Sequence, residues 1–140
     1  MALSGAPPRP EICVGAVVVA QDRLLMVRRG RGPAQGEWSV PGGRVEPGET
    51  LAEAVVRELD EETGLHGVCG DLVGWVERIG IDYHYVILDF QVVVLDDDVP
   101  CAGDDAVEAT WVPLSALSDL RVVDGLVEFL ADHGIVPLIA

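Results

Sequence analysis

The chain has 140 residues, with nine basic and twenty-four acidic side chains and a formal charge of −15. This length suits one domain that buries about two thirds of its unfolded surface, and it is too short for two ordinary domains. The charge repels a polynucleotide, and the longest apolar run, Ile12 to Ala20, is far below the roughly 18 residues that cross a bilayer. We therefore expect a single domain over residues 11–140 after a loose arm of residues 1–10, with neither a nucleic acid polymer nor a membrane as partner.

The three cysteines, Cys13, Cys69 and Cys101, are odd in number and widely separated. No charged segment followed by an apolar leader precedes the first apolar run. We expect a cytoplasmic protein without disulfides. The sequence leaves open whether it forms a homodimer.

Periodicity in the first half predicts a hairpin, a short strand and a helix. The runs Ile12 to Ala20 and Arg23 to Val27 flank Gln21 and Asp22, which is typical of a β-hairpin. Trp38 to Pro41 is a candidate short strand. Thr50 and Glu53 have the spacing of a capping box, and Gly64 suits a helix end, so a helix is predicted from about Leu51 to Thr63.

The second half predicts three strands, a loop and a final helix. The strands are Leu72 to Ile79, Tyr83 to Leu95 and Ala109 to Val112, with an acidic loop from Asp96 to Asp105. Asp124 can cap a last helix that ends near Gly134. Strands on both sides of a helix, with another helix at the end, predict a mixed sheet between helices, an α/β class fold.

Carboxylates occupy the packing face of the predicted central helix. At about 100° per residue, Leu51, Val55, Glu58 and Glu62 share one face, with Glu61 beside them. Acids at positions i and i+4 repel one another unless a cation lies between them, and hard oxygen ligands suit magnesium or manganese. The alternative, a solvated acidic face, fits Glu53 and Asp60 but fits the acids on the packing face poorly.

A loop with three glycines and two prolines, Val40 to Glu49, precedes this helix. Such a loop can bring backbone close to an anionic ligand, although turns use the same residues.

The loop and helix together resemble the signature of the Nudix hydrolases. That signature is a glycine, five residues, a glutamate, seven residues, then Arg-Glu-aliphatic-x-Glu-Glu-x-Gly-aliphatic, and every spacing is met. The matching positions are Gly43, Glu49, Arg57, Glu58, Leu59, Glu61, Glu62, Gly64 and Leu65. The resemblance also includes Trp38 to Gly42. It implies an α/β/α Nudix sandwich and metal-assisted hydrolysis of a nucleoside diphosphate linked to another group.

The resemblance also assigns roles. Glu58 and Glu62 are expected as the principal ligands of Mg²⁺, with Mn²⁺ as a substitute, and Glu61 as a third ligand, direct or through water. A main-chain carbonyl of Gly42 or Gly43 is a further candidate ligand.

Arg57 and Glu49 are expected to pair and to fix the loop to the helix, although a guanidinium beside three glutamates is expected even without substrate. For the general base, Glu58, Asp104, Asp105 and Glu108 are all candidates. Glu108 ranks first outside the signature, and the alternative is a solvated loop acid.

Substrate contacts outside the metal site are expected from arginine. Arg28 and Arg29 follow a strand at the place where the Nudix resemblance implies a substrate-facing arginine. Adjacent strand residues point to opposite faces, so one of the two is expected to face the cleft, whereas Arg31 is expected to be solvated. Tyr83, with Tyr85 and Phe90, can stack on a base or lie in the core. Trp38 is expected to pack under the loop. The three histidines, His66, His84 and His133, lack metal-ligand spacing.

The resemblance implies a small nucleotide derivative as substrate, and ADP-ribose-like compounds are slightly favoured. The run Gly103 to Ala106 resembles a loop of relatives that act on ADP-ribose, but the proline marker of those enzymes is absent between Pro47 and Pro100. Tyr83 resembles a marker of dinucleoside polyphosphate hydrolases, and the small size suits a hydrolase of nucleoside triphosphates, including oxidised ones. The other class of function is a non-catalytic nucleotide sensor. An enzyme is favoured because all the signature glutamates are present.

Overall fold

A computed structural model describes residues 5–95 and 99–136. The strands are β1 (Glu11–Val17), β2 (Val19–Ala20), β3 (Arg23–Arg29), β4 (Trp38–Ser39), β5 (Gly42–Arg44), β6 (Gly67–Ile79), β7 (His84–Val94) and β8 (Ala106–Pro113). The helices are α1 (Leu51–Thr63) and α2 (Leu126–Asp132), with a 3₁₀ helix at Leu114–Asp119. No helix among the described residues is long and apolar enough to cross a membrane.

The strands form two four-stranded sheets. In the first, the order is β5-β1-β7-β6, and β1 and β7 run parallel while the other two contacts are antiparallel. In the second, β3 pairs with β8 along one edge and with β2 and β4 along the other, always antiparallel. The first sheet is therefore mixed, as the sequence predicts.

Alternation along the strands places core residues on both faces of the sheets. Val14 of β1 and Leu25 of β3 pack in one cluster with Val55 and Leu59 of α1. Neighbouring residues of the same strands, including Val17, Leu24 and Met26, pack in a second cluster with Leu126, Phe129 and Leu130 of α2. Because each helix covers an opposite face, the predicted α/β/α sandwich is confirmed.

Helix α1 has the bounds that the sequence predicts. The Thr50 hydroxyl accepts a hydrogen bond from the Glu53 N–H at 3.1 Å, and the Glu53 carboxylate accepts one from the Thr50 N–H at 2.8 Å. Gly64 ends the helix at φ 73°, a left-handed conformation that favours glycine. This capping fixes the angular position of the glutamates relative to the sheet.

The predicted first hairpin is wrong for most of its first strand. Gln21 and Asp22 do form a tight turn with positive φ, but only Val19 and Ala20 pair with β3. Strand β1 instead lies between β5 and β7 in the other sheet. The apolar run is continuous because it serves a central strand whose two faces are both covered.

Several element bounds also differ from prediction. Residues 42–44 of the predicted glycine-rich loop form β5, because their backbone pairs with β1. Strand β6 begins at Gly67 and contains two register shifts, which hide its alternation. The 3₁₀ helix was not predicted. Within the predicted acidic loop, residues 99–105 have no regular strand or helix, and residues 96–98 lie outside the described residues.

The predicted cap of the last helix is also wrong. Gly125, at φ 85°, is the N-cap of α2 and makes no side-chain cap. The Asp124 carbonyl oxygen accepts a hydrogen bond from the Arg78 guanidinium. This contact links β6 to the residue before the N-cap and leaves α2 without a side-chain cap.

Candidate active site

Two glutamates of α1 are buried against the first sheet. Glu58 and Glu62 are only 8% and 9% exposed. The Glu62 carboxylate accepts a hydrogen bond of 2.9 Å from the Gly42 N–H, which ties the helix to β5. A Cβ added to Gly43 would lie 2.6 Å from the Glu58 carboxylate, so only glycine allows this close approach.

Arg57 joins the loop to the helix. Its guanidinium binds both carboxylate oxygens of Glu49, at 2.6 and 3.0 Å, and donates to the Arg44 carbonyl at 3.0 Å. It also contacts Glu58 at 2.8 Å and Glu61 at 3.0 Å. These bonds lower the pKa of Glu49 and raise the pKa of Arg57. The geometry matches the predicted Glu49 pairing and holds Glu58 and Glu61 close together.

Burial makes ionisation of the two inner glutamates unfavourable. It raises the pKa of Glu58, while the Arg57 hydrogen bond opposes the increase. It raises the pKa of Glu62 to about 8, against the opposing effect of the Gly42 N–H and with a further increase from the charge of Glu58. With its pKa raised to about 8, Glu62 is mostly protonated at neutral pH unless a cation compensates its charge.

The loop after β7 brings another carboxylate to the site. The Cys101 N–H donates to the Thr63 carbonyl at 2.8 Å, and the Gly103 N–H donates to the Glu62 carbonyl at 3.2 Å. A Cβ on Gly103 would lie 2.5 Å from the Glu61 carbonyl oxygen, so the loop docks closely on the end of α1. Oxygens of Asp104, Glu58 and Glu61 thereby lie within 4.8 Å of one another.

This oxygen cluster fits a divalent metal. Carboxylate oxygens are the ligands that Mg²⁺ and Mn²⁺ prefer, and one buried residue with two exposed ones leaves room for water or phosphate. Asp104 was predicted as a candidate base, and the structure places it beside the predicted ligands. Glu62 lies next to this group, with one oxygen on Gly42.

The two arginines at the end of β3 differ in their surroundings. Arg29 lies close enough to Glu62 to lower the pKa of that carboxyl group. Arg28 is opposite Glu108 in the β3–β8 register and binds its carboxylate at 2.7 Å. Arg31, expected to be solvated, forms an ion pair with Asp105. One of Arg28 and Arg29 was predicted to face the cleft, and Arg29 is the one that lies beside the buried Glu62. Glu108, which pairs with Arg28, is exposed.

The aromatic candidates make packing contacts, and Phe90 packs against the core cluster that contains α1. The Tyr83 and Tyr85 rings stack at 5.3 Å, near the turn between β6 and β7. Trp38 packs against the core cluster that contains α2, as the packing interpretation predicts. His133 contacts the Phe129 ring at 4.5 Å. Among the described residues, no histidine belongs to a metal-competent group.

Comparison with known proteins defines the family. The NUDIX domain profile matches residues 9–133. The chain belongs to the Nudix family. It is 36% identical over 113 residues to the ADP-ribose pyrophosphatase of Methanocaldococcus jannaschii, covering 79% of this chain and 66% of that protein. It is 32% identical over 141 residues to the human 8-oxo-dGDP phosphatase NUDT18, covering 93% of this chain and 44% of that protein.

Solved structures give the same assignment. The MutT protein of Methanosarcina mazei Go1 superimposes with a TM-score of 0.79 at 27% identity, covering 91% of this chain and 94% of that one. The two relatives named above are longer: the matched region spans about two thirds of the archaeal protein and less than half of the human one.

Sequence reasoning missed one buried acid of this Nudix domain. Asp89 lies in the middle of β7 and is only 4% exposed. The available signal was an aspartate inside the apolar run Val86 to Val94, where a charged residue is seldom left without a partner.

Proposed function

We propose that this Nudix domain is a metal-dependent hydrolase that cleaves the pyrophosphate bond of a nucleoside diphosphate linked to another group. The observation that carries the proposal is the acidic cluster in which Glu58 and Glu62 are buried and the neighbouring Glu61 and Asp104 are exposed. Burying like charges is unfavourable without a cation. A site for an anionic substrate therefore depends on metal in this acidic chain.

In this proposal, Glu58, Glu61 and Glu62 hold Mg²⁺ or Mn²⁺, with Asp104 as a further oxygen donor and a Gly42 or Gly43 carbonyl as a candidate ligand. When bound, the ion supplies positive charge that neutralises phosphate oxygens and assists attack by water. Arg57 has a positioning role, because it fixes Glu58 and Glu61 through direct ion pairs. Arg29, beside Glu62, is the arginine best placed to bind a phosphate oxygen.

Hydrolysis requires a base for the attacking water. The water oxygen forms a new bond to phosphorus, the bridging P–O bond breaks, and the released phosphate keeps that bridging oxygen. The water proton passes to a carboxylate. Glu58 and Asp104 are favoured over Glu108, since they belong to one oxygen cluster while the Glu108 carboxylate is bound by Arg28. Asp105 is engaged by Arg31.

For the substrate, we propose the order ADP-ribose-like compounds, then nucleoside triphosphates including oxidised ones, then dinucleoside polyphosphates. The archaeal relative is named an ADP-ribose pyrophosphatase, which supports the first class. The human relative is named an 8-oxo-dGDP phosphatase, and a Salmonella relative, 33% identical over 112 residues, a nucleoside triphosphatase. These names support an oxidised or triphosphate substrate as the alternative.

The released products distinguish these classes. ADP-ribose should give AMP and ribose 5-phosphate, whereas a triphosphate should give a monophosphate and pyrophosphate. Each compound is incubated with the protein and magnesium at mildly alkaline pH, and the products are separated by chromatography. A catalytic efficiency for any triphosphate tenfold above that for ADP-ribose would overturn the order. No turnover across the panel would favour the non-catalytic sensor.

A further inference from the structure

The turn that carries Asp104 is held on both sides by other parts of the chain. Residues 103–106 form this turn, which is closed by a hydrogen bond of 3.0 Å between its first and last residues. On one side, Gly103 docks on the end of α1. On the other side, the Gly30 N–H, directly after β3, donates to the Asp105 carbonyl at 2.8 Å. Asp104 therefore lies between two anchored neighbours.

The contact with Gly30 leaves no room for a larger residue. A Cβ added at this position would lie 2.6 Å from the Asp105 carbonyl oxygen and 2.9 Å from a methyl carbon of Val107. Since the nearer atom belongs to the backbone, a side chain here would push the turn away from β3. The adjacent Arg31 adds a second link, because its guanidinium forms an ion pair with the Asp105 carboxylate. Residues 30 and 31 thus set the position of the turn.

Asp104 itself has a backbone conformation that residues other than glycine rarely adopt. Its φ is 52°, in the left-handed region, which aspartate tolerates better than most residues. Such conformations persist where the surrounding structure holds them, and they are concentrated at functional sites. In this conformation the Asp104 carboxylate has an oxygen within 4.8 Å of oxygens of Glu58 and Glu61. The strained residue is therefore the one that completes the oxygen cluster.

We propose that Gly30 and Arg31 are positioning residues for the metal site. They hold Asp105 in place, and so they keep the Asp104 carboxylate in the oxygen cluster. The inference rests on the proposed function, because it needs a metal ion at that cluster. Arg29 directly precedes the pair, so one short segment supports both the arginine proposed to bind phosphate and the acid proposed to bind metal.

The test measures binding of Mn²⁺ alone, so that it does not depend on turnover. Isothermal titration calorimetry gives the dissociation constant for the parent, Gly30→Ala, Asp104→Asn and the Gly30→Ala/Asp104→Asn double variant. Asparagine also tolerates the left-handed region, so Asp104→Asn removes the charge and leaves the turn intact. Gly70→Ala in β6 is the matched control, because its Cβ would also face a backbone carbonyl oxygen, that of Gln91, but at 3.2 Å.

Gly30→Ala and Asp104→Asn should each weaken Mn²⁺ binding about tenfold, which is the size of effect that loss of a supporting contact has at a metal site. The double variant should bind no more weakly than Asp104→Asn, because the anchor acts only through that carboxylate. Gly70→Ala should bind as the parent does. Melting curves in chelator show whether each variant is folded.

Three results would overturn the inference. The first is binding by Gly30→Ala within about twofold of the parent, and the second is a full further loss when Gly30→Ala is added to Asp104→Asn. The third is unchanged binding by Asp104→Asn while Glu62→Gln loses the metal, which would leave the proposed function standing. No Mn²⁺ binding by the parent would overturn the proposed function together with the inference.

Arg31→Gln takes the place of Gly30→Ala if that variant does not fold. Loss of a positive charge would by itself favour a bound cation, so weaker Mn²⁺ binding would report a displaced carboxylate. We expect a weakening of about threefold, since the ion pair is exposed, and recovery in Arg31→Lys. Binding by Arg31→Gln that equals or exceeds that of the parent would then overturn the inference.

Discussion

Two acidic residues that the sequence ranks as candidates, Glu58 and Glu108, have very different surroundings. The Glu58 side chain is 11% exposed and lies against the sheet, next to Glu62 and within reach of Asp104. The Glu108 side chain is 52% exposed and pairs with Arg28 across two strands. Both residues form ion pairs with arginine, but only Glu58 belongs to a cluster in which negative charge exceeds the available positive charge.

This difference shows why an ion pair by itself says little about function. An exposed pair is screened by water and contributes little to stability. A buried cluster of acids is unfavourable in the empty protein, and its charge becomes useful only when a cation is bound. The unfavourable burial of Glu58 and Glu62 in the empty protein is therefore the reason that we propose a metal site there.

The largest effect is expected for Glu62→Gln, which removes one charge at constant size. Loss of a metal-contacting carboxylate should lower the catalytic efficiency on the order of a thousandfold or more. Glu53→Gln is the matched control, because it makes the same change on the exposed face of α1 and glutamine can still complete the capping box. Steady-state kinetics with magnesium give both values. Activity of Glu62→Gln within tenfold of the parent would make the metal-site assignment wrong.

A smaller but direct effect is expected on thermal stability. In chelator above pH 8, where folded Glu62 is ionised, the Glu58→Gln/Glu62→Gln variant should melt higher than the parent, because the repulsion between the buried carboxylates is removed. Magnesium that binds only the folded state should raise the melting temperature of the parent and change that of the double variant little. Differential scanning calorimetry with and without metal measures both shifts. Equal metal-induced shifts would show that the ions bind elsewhere.

The folding stability of the metal-free protein should also depend on pH, through the ionisation of Glu62. Since burial raises the pKa of folded Glu62 to about 8, the folded state retains a proton that the unfolded chain loses near pH 4 to 5. The resulting stability is complete below the unfolded pKa and is lost as the pH rises through about 8.

Melting temperatures in chelator should therefore fall between about pH 6.5 and 8.5 by a few degrees in the parent. The decrease should be smaller in Glu62→Gln, which has no proton to lose at this position. A starting pH above 6 limits the contribution of Asp89, whose pKa is raised to about 6. If the parent and Glu62→Gln show the same slope, the ionisation of Glu62 does not couple to folding.

The sequence predicted α1 and its acidic face well, because both depend on local rules. Capping by Thr50 and the 3.6-residue period decide which face carries Glu58 and Glu62. Strand partners depend on long-range contacts, so β1 was assigned to a hairpin although it pairs with β5 and β7. Register shifts near the start of β6 interrupt its alternation, so the sequence predicted a start at Leu72 although the strand begins at Gly67.

For the candidate site, residues in the signature could be placed from sequence and residues outside it could not. Glu108 and Asp104 are only four positions apart, and no local pattern distinguishes them. The difference comes from the docking of Gly103 on the end of α1, which turns Asp104 toward Glu58. The burial of Asp89 was missed because it depends on neighbouring strands, whose Gly15 and Gly74 pair with Asp89 only in the folded sheet.

The smallest effect is expected at the exposed pair of Arg28 and Glu108. Because both side chains are more than one third exposed, Glu108→Gln should change the free energy of unfolding by about 1 kcal/mol or less. The residual effect should shrink further in high salt, since screening weakens a pair that water already reaches. Urea unfolding at low and high ionic strength measures this, with Arg28→Gln as the reciprocal variant. A loss of several kcal/mol, or a hundredfold fall in catalytic efficiency with stability retained, would show that Glu108 acts in the site and that the contrast with Glu58 fails.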